Sequence, residues 1–173
     1  MRGMMVLAAA LFAAGLGTGC ADGMSEEEAK VAMSATANAL SDGTTAADTK
    51  ADVIADYEHG CAGGGAMTLA GDMAGIYVGF DVGVKMTTCQ RDGVTMDGEL
   101  TYTMVSVNAL AVKTLTYSYA GTITYGGDAV GTCDVAMTGT VTEVAGSIGV
   151  ATWAGKMCDY DGDTVMAGVD IRL

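Results

Sequence analysis

The chain has 173 residues, 26 of them Gly and none Pro, with 8 basic and 21 acidic residues and a net charge of −13. That charge repels nucleic acid and anionic lipid head groups, and the length suits one domain with a core of its own. Such Gly abundance fits disorder, but a regular apolar–polar alternation beyond residue 60 excludes it for most of the chain.

In chain order, Arg2 comes first, then an apolar run from Met4 to Ala14, then Leu16-Gly17-Thr18-Gly19-Cys20. The run is too short to span a bilayer and has the form of a secretory leader. The segment resembles the lipobox of bacterial lipoproteins, in which small residues precede a cysteine that is diacylated and becomes the mature N-terminus. Gly19 fits that pattern; Gly17 stands where it places Leu, with Leu16 one position earlier. The resemblance covers residues 1–20 only. It implies loss of residues 1–19, lipidation of Cys20, and a lipid-anchored protein of the bacterial cell envelope, at the outer membrane or facing the periplasm. Two acyl chains hold a protein stably where one does not. An ordinary cleaved leader, with Cys20 left as a spare thiol, is the alternative. Losing Arg2 with the leader takes the charge from −13 to −14. The remainder looks like other small Gly/Thr-rich exported lipoproteins of unknown role.

Residues 20–44 read as a lipid-anchored tether carrying a helix. Ser25-Glu26-Glu27-Glu28 is a capping box, with its acids at the positive helix end. A helix is predicted from about Glu26 to Leu40, with Ala29, Met33 and Leu40 as a stripe and Gly43 as its stop. A second helix is predicted from Thr45 to about Glu58, with Val53, Ile54 and Tyr57 buried and Gly60 ending it.

Residues 45–173 read as one β domain with an internal repeat. With Cys20 assigned to lipid, Cys61, Cys89, Cys133 and Cys158 remain, an even number that fits two disulfides in an exported protein. Cys89 and Cys158 each begin C-x-x-D-G-x-T, and Ala-Met-Thr follows both Cys61 and Cys133. So residues 61–106 recur as 133–173. Each cysteine pair flanks a Gly-containing turn, near Gly75 and near Ala145-Gly146, so a hairpin folded there brings its two cysteines together. This predicts Cys61–Cys89 and Cys133–Cys158. The four-cysteine metal site has no C-x-x-C pair behind it.

After Cys61 the apolar period is two. It runs through Val78, Phe80, Val82, Val84 and Met86, then Val94, Met96, Leu100, Tyr102 and Met104, then Leu115, Tyr117, Tyr119, Ile123 and Tyr125, then Val135, Met137 and Val141. That is the pattern of strands with one buried face. Seven are predicted, at 65–71, 76–86, 94–106, 111–125, 133–143, 147–156 and 164–172. Short connections make them an antiparallel up-and-down meander. Its apolar face is covered by curling, into a barrel or an open curled sheet, or by the helix at 45–58. A flat sandwich is the weaker alternative. Gly98, Gly121 and Gly139 fall on the inner face and suit curvature or close backbone approach.

Chemistry-bearing groups do not assemble in the sequence. Asp159-Tyr160-Asp161-Gly162-Asp163 offers alternating oxygens, but its Gly comes early and the distal Glu of a calcium loop is missing; an Asp-Gly hairpin turn, which the partner copy Asp92-Gly93 shares without the extra acids, accounts for it better. His59 is the only histidine, and no serine stands in G-x-S-x-G. Asp97 and Glu99, two apart on a strand, read as a wet face. Thr114, Thr116, Thr122, Thr124, Thr138, Thr140 and Thr142 form outward hydroxyl rows, as strand formers or as a surface for glycans or ordered water. The strand methionines fill a core or line a pliable pocket. The expectation is a non-enzymatic protein with no cofactor or metal. It is anchored to the membrane by lipid and displays an acidic β domain, with its molecular role and any protein partner left open by the sequence. Carriage of a small apolar ligand or lipid inside the curled sheet is the alternative.

Overall fold

The computed structural model describes residues 23–48, 53–72, 79–109, 112–144 and 147–169. One helix, α1 (Glu26–Asp48), precedes eight strands: β1 (Val53–Gly60), β2 (Ala66–Asp72), β3 (Gly79–Arg91), β4 (Val94–Ala109), β5 (Val112–Gly127), β6 (Gly131–Val144), β7 (Ser147–Met157) and β8 (Tyr160–Asp161). A four-residue helix, α2 (Gly162–Val165), comes after β8. The strands form a single antiparallel sheet in sequence order. Among the described residues β1 and β8 do not pair with each other, so the meander is open.

The two-residue period builds this sheet directly. Phe80, Val82, Val84 and Met86 of β3 are buried while Asp81, Gly83 and Lys85 between them are exposed. The same parity runs through β4, β5 and β6, and cross-strand register keeps the buried residues in rows: Val82, Tyr102, Tyr119 and Met137 lie side by side on successive strands. Two consecutive strands cannot slip by one residue without turning that row into solvent.

Three expected elements differ. The helix predicted to stop at Gly43 continues to Asp48. Gly43 is buried within it because a Cβ there would collide with Met67 Sδ; the glycine lets the helix sit down on β2. The buried face of α1 is made of small groups, Ala29, Ala32, Thr36, Ala39 and Ala47 around Met33 and Leu40, which suits such close packing. The second expected helix does not form: Val53–Gly60 is strand β1, and α1 is the helix that covers the sheet. The last expected strand, 164–172, is instead α2 and a turn through residue 168, residues 170–173 lying outside the described part.

Candidate functional site

Helix α1 crosses the strands near one end of the sheet, the end that carries the β1–β2, β3–β4, β5–β6 and β7–β8 turns. Its start lies by β6 to β8, where Met24 Sδ is 3.6 Å from Cys133 Sγ and 3.5 Å from Cys158 Sγ. Its middle lies over β4 and β5, where Thr36 and Tyr125 share a 3.0 Å hydrogen bond between hydroxyls. Its later turns meet the β3–β4 turn. Asn38 donates to Asp92 at 2.8 Å, and Arg91 pairs with Asp42 and, at 3.4 Å, with Asp92. The half-buried Arg91 stem thereby joins helix, turn and strand.

The predicted cysteine partners come together. Cys61 and Cys89 are bonded with Cα atoms 5.4 Å apart, and Cys133 and Cys158 with Cα atoms 4.6 Å apart, within the range disulfide geometry permits. Each pair does straddle a hairpin, β2–β3 and β6–β7. Cys89 reaches inward through a bulge: the β3–β4 register shifts between Met86 and Cys89, and Thr88 takes φ +45°. One extra residue restores an inward direction that strict alternation denies. The Thr88 N–H, taken off the ladder, donates to Asp97 Oδ1 at 2.7 Å. Asp97 therefore has a structural task that its outward position alone did not reveal. Cys20 lies outside the described residues.

The inner face beyond the helix is aromatic. Phe80 and Tyr102 meet edge to face at 4.8 Å, Tyr102 stacks on Tyr119 at 4.9 Å, and Tyr117 stacks on Trp153 at 6.5 Å. Trp153 lies over Gly139, its cross-strand neighbour; a Cβ there would run into the indole. Gly98 and Gly121 instead bring backbones together, since a Cβ at either would collide with the Thr122 or Glu99 carbonyl oxygen. Burial raises the Tyr117 hydroxyl to about 12. It pushes Tyr119 and Tyr125 higher still and raises Tyr102 well above the ordinary tyrosine value. All four are neutral at any physiological pH, and no general base arises from them.

The outer face is hydroxylic. Ser118 and Thr138 share a 3.4 Å hydrogen bond and Thr124 and Thr132 a 3.0 Å one, while Thr122 donates to Asp134 at 2.7 Å. Lys85 and Glu99 pair at 3.4 Å with both side chains well exposed, so this bridge adds little to stability. Register places Ala70, Gly83, Thr101, Ala120 and Ala136 in one row across five strands. The first four of these short residues, on β2 to β5, leave an open trough of about 480 Å³ between Asp56, Thr68 and the Lys85–Glu99 pair.

The acids of the Asp159 segment do not gather. Asp163 Oδ1 accepts from the Trp153 N–H at 2.8 Å, and Asp161 precedes α2. Among the described residues no three His, Cys, Asp or Glu side chains meet at one point. His59 sits on the edge strand β1 beside a small crevice with Asp42 and Arg91. Among the described residues no helix is long and apolar enough to cross a membrane. No protein family, no curated protein and no solved structure matches the chain.

Proposed function

We propose that this is a lipid-anchored, non-enzymatic protein of the cell envelope that displays the outer face of its sheet to a protein partner. The observation that carries this reading is the division of the sheet into two faces of opposite chemistry. Side chains of the inner face, such as Val82, Leu115 and Met137, are 0–2 % exposed. The outer face offers threonines, serine and acids over β3 to β6. Two disulfides favour the reading because such bonds persist in oxidising compartments outside the cytoplasm. The lipobox-like residues up to Cys20 supply the means of attachment. Carriage of an apolar ligand is the weaker reading: it needs room between α1 and the sheet, where Gly43 already lies against β2 and Thr36 against β4 and β5.

Growth of an expressing bacterium with an alkyne-bearing fatty acid tests the anchor. The wild type should take up label and partition with membranes, and Cys20→Ala should be unlabelled. An unlabelled wild type would overturn the reading.

A further inference from the structure

We infer that the domain sits flush on the lipid surface in one orientation, with the end that carries Val31, Val130 and the Cys133–Cys158 turn against the bilayer. This rests on lipidation of Cys20. Only residues 21–23 separate Cys20 from Met24 in the sequence. Met24 is already buried against the disulfide, and its carbonyl accepts from the Tyr160 hydroxyl at 3.0 Å. Ser25 and Glu28 then close the capping box, with the Ser25 N–H donating to Glu28 at 2.9 Å and the Glu28 N–H to Ser25 Oγ at 3.3 Å. Four residue steps from Cys20 to Met24 span at most about 14 Å. A lipid buried in the membrane therefore holds this corner, not the whole domain, next to the head groups.

The corner has surface suited to that position. Val130, in the β5–β6 turn, is 58 % exposed, and Val31, one helical turn beyond Glu28, is 40 % exposed. The Val130 N–H reaches the Glu28 carboxylate, which places the two valines around the same first helical turn. The neighbouring acids Glu26, Glu27, Asp128 and Asp159 oppose any attraction to anionic lipid. The covalent chain, not charge, must provide the contact. The other pair of exposed valines, Val105 and Val107, stands far up β4; Val105 is eleven residues from Val94, roughly 35 Å along the strand. With the β5–β6 turn down, these residues and the upper hydroxyl rows point away from the membrane.

The acylated protein, reconstituted in phosphatidylcholine vesicles that include a brominated lipid, provides the test. Val130→Trp should lose its added emission to bromine quenching and Val105→Trp should keep it. Equal quenching, or quenching at Val105→Trp alone, would overturn the orientation. Hydrogen exchange of the unsubstituted acylated protein on vesicles, against Cys20→Ala protein in solution, checks the same point without new side chains. Protection should rise at 128–131 and 158–161 and stay unchanged at 103–107; a uniform result overturns it. Mass spectrometry of the same sample separates the two failures: absence of acyl groups removes the anchor itself, whereas an acylated protein without differential quenching removes only the fixed orientation.

Discussion

The two copies of C-x-x-D-G-x-T share their residues and not their structure. In the first, Asp92 and Gly93 take positive φ, +49° and +81°, and form the tight turn that sends the chain into the sixteen-residue strand β4. In the second, Cys158 and Asp159 carry the positive φ, +51° and +69°, so the turn comes three residues earlier relative to the motif. Strand β8 is then only two residues long, and the Asp161-Gly162 pair opens α2 rather than a hairpin. The residues downstream of each motif decide the outcome. Val94, Met96, Leu100 and Tyr102 keep an even spacing that only a strand can bury on one side. Val165 and Met166 are adjacent, and both are buried; a helical turn can bury two neighbours where a half-exposed strand cannot. The same motif thus extends the sheet once and ends it once. The ending is protective, since Asp163 takes the Trp153 N–H that would otherwise be free on the edge of β7.

The largest expected effect comes from the bridges. Replacing either cysteine pair by serine should cost about 3–4 kcal/mol in chemical denaturation, the loops of 28 and 25 residues being nearly equal in the chain-entropy account. The copies should nevertheless differ in where the loss is felt. Without Cys133–Cys158, backbone exchange should rise at the start of α1, because Met24 packs on that sulfur pair. Without Cys61–Cys89 it should rise at the β1–β2 turn. Equal loosening of both regions in both variants would erase the contrast.

Core truncation sharpens it further. Met96→Ala in the first copy removes a fully buried side chain that touches Thr36 and should cost about 3 kcal/mol; Met166→Ala, at the margin of α2, should cost about 2 kcal/mol. Calorimetry or urea titration compares them, and a reversed order would mean that α2, not the helix–sheet contact, is the more deeply packed part.

Alkali offers a third probe. Tyr102 and the β5 tyrosines Tyr117, Tyr119 and Tyr125 all have raised pKa values through burial. The unfolded chain releases those protons near pH 10 while the folded chain retains them. Stability should be flat below that value and fall as pH rises from about 10 through the folded values, by about 1.4 kcal/mol per pH unit for each buried tyrosine. Tyr117→Phe should remove one share of that slope, and an unchanged slope would show that this hydroxyl is not shielded. The smallest effect belongs to the carboxylates that cap a backbone N–H, one at the edge of β7 and one at the β3 bulge. Asp163→Ala should cost about 1–2 kcal/mol and Asp97→Ala about 1 kcal/mol, since each leaves one backbone N–H without its acceptor, the latter where water can replace it.

The strands, their up-and-down order and the cysteine partners were legible because alternation and spacing are local signals that burial enforces. Strand β1 was not. Its register slips between Ile54 and Tyr57, with Asp56 at φ +51°. That bulge sets the apolar residues 54 and 57 three apart, a spacing that belongs to helices. Gly43 misled in the opposite way: glycine usually ends a helix, and here it serves contact with Met67. The second copy misled because Val165, Ala167 and Val169 alternate in the sequence, whereas the neighbours Val165 and Met166 are both buried and Ala167 is exposed. The position of α1 over the turn-bearing end depends on long-range pairs such as Asn38–Asp92 and Thr36–Tyr125, which no local pattern encodes. Of the candidate site, the hydroxyl rows were visible in the threonine spacing. The trough was not, since it needs the register of four strands to align small residues.

Peptide mapping of the membrane-extracted protein without reduction tests the account most directly. It should yield an acylated peptide beginning at Cys20, one peptide pair joined through Cys61 and Cys89, and another joined through Cys133 and Cys158. A bridge from Cys20 to any of these four, or a bond joining one copy of the repeat to the other, would contradict it.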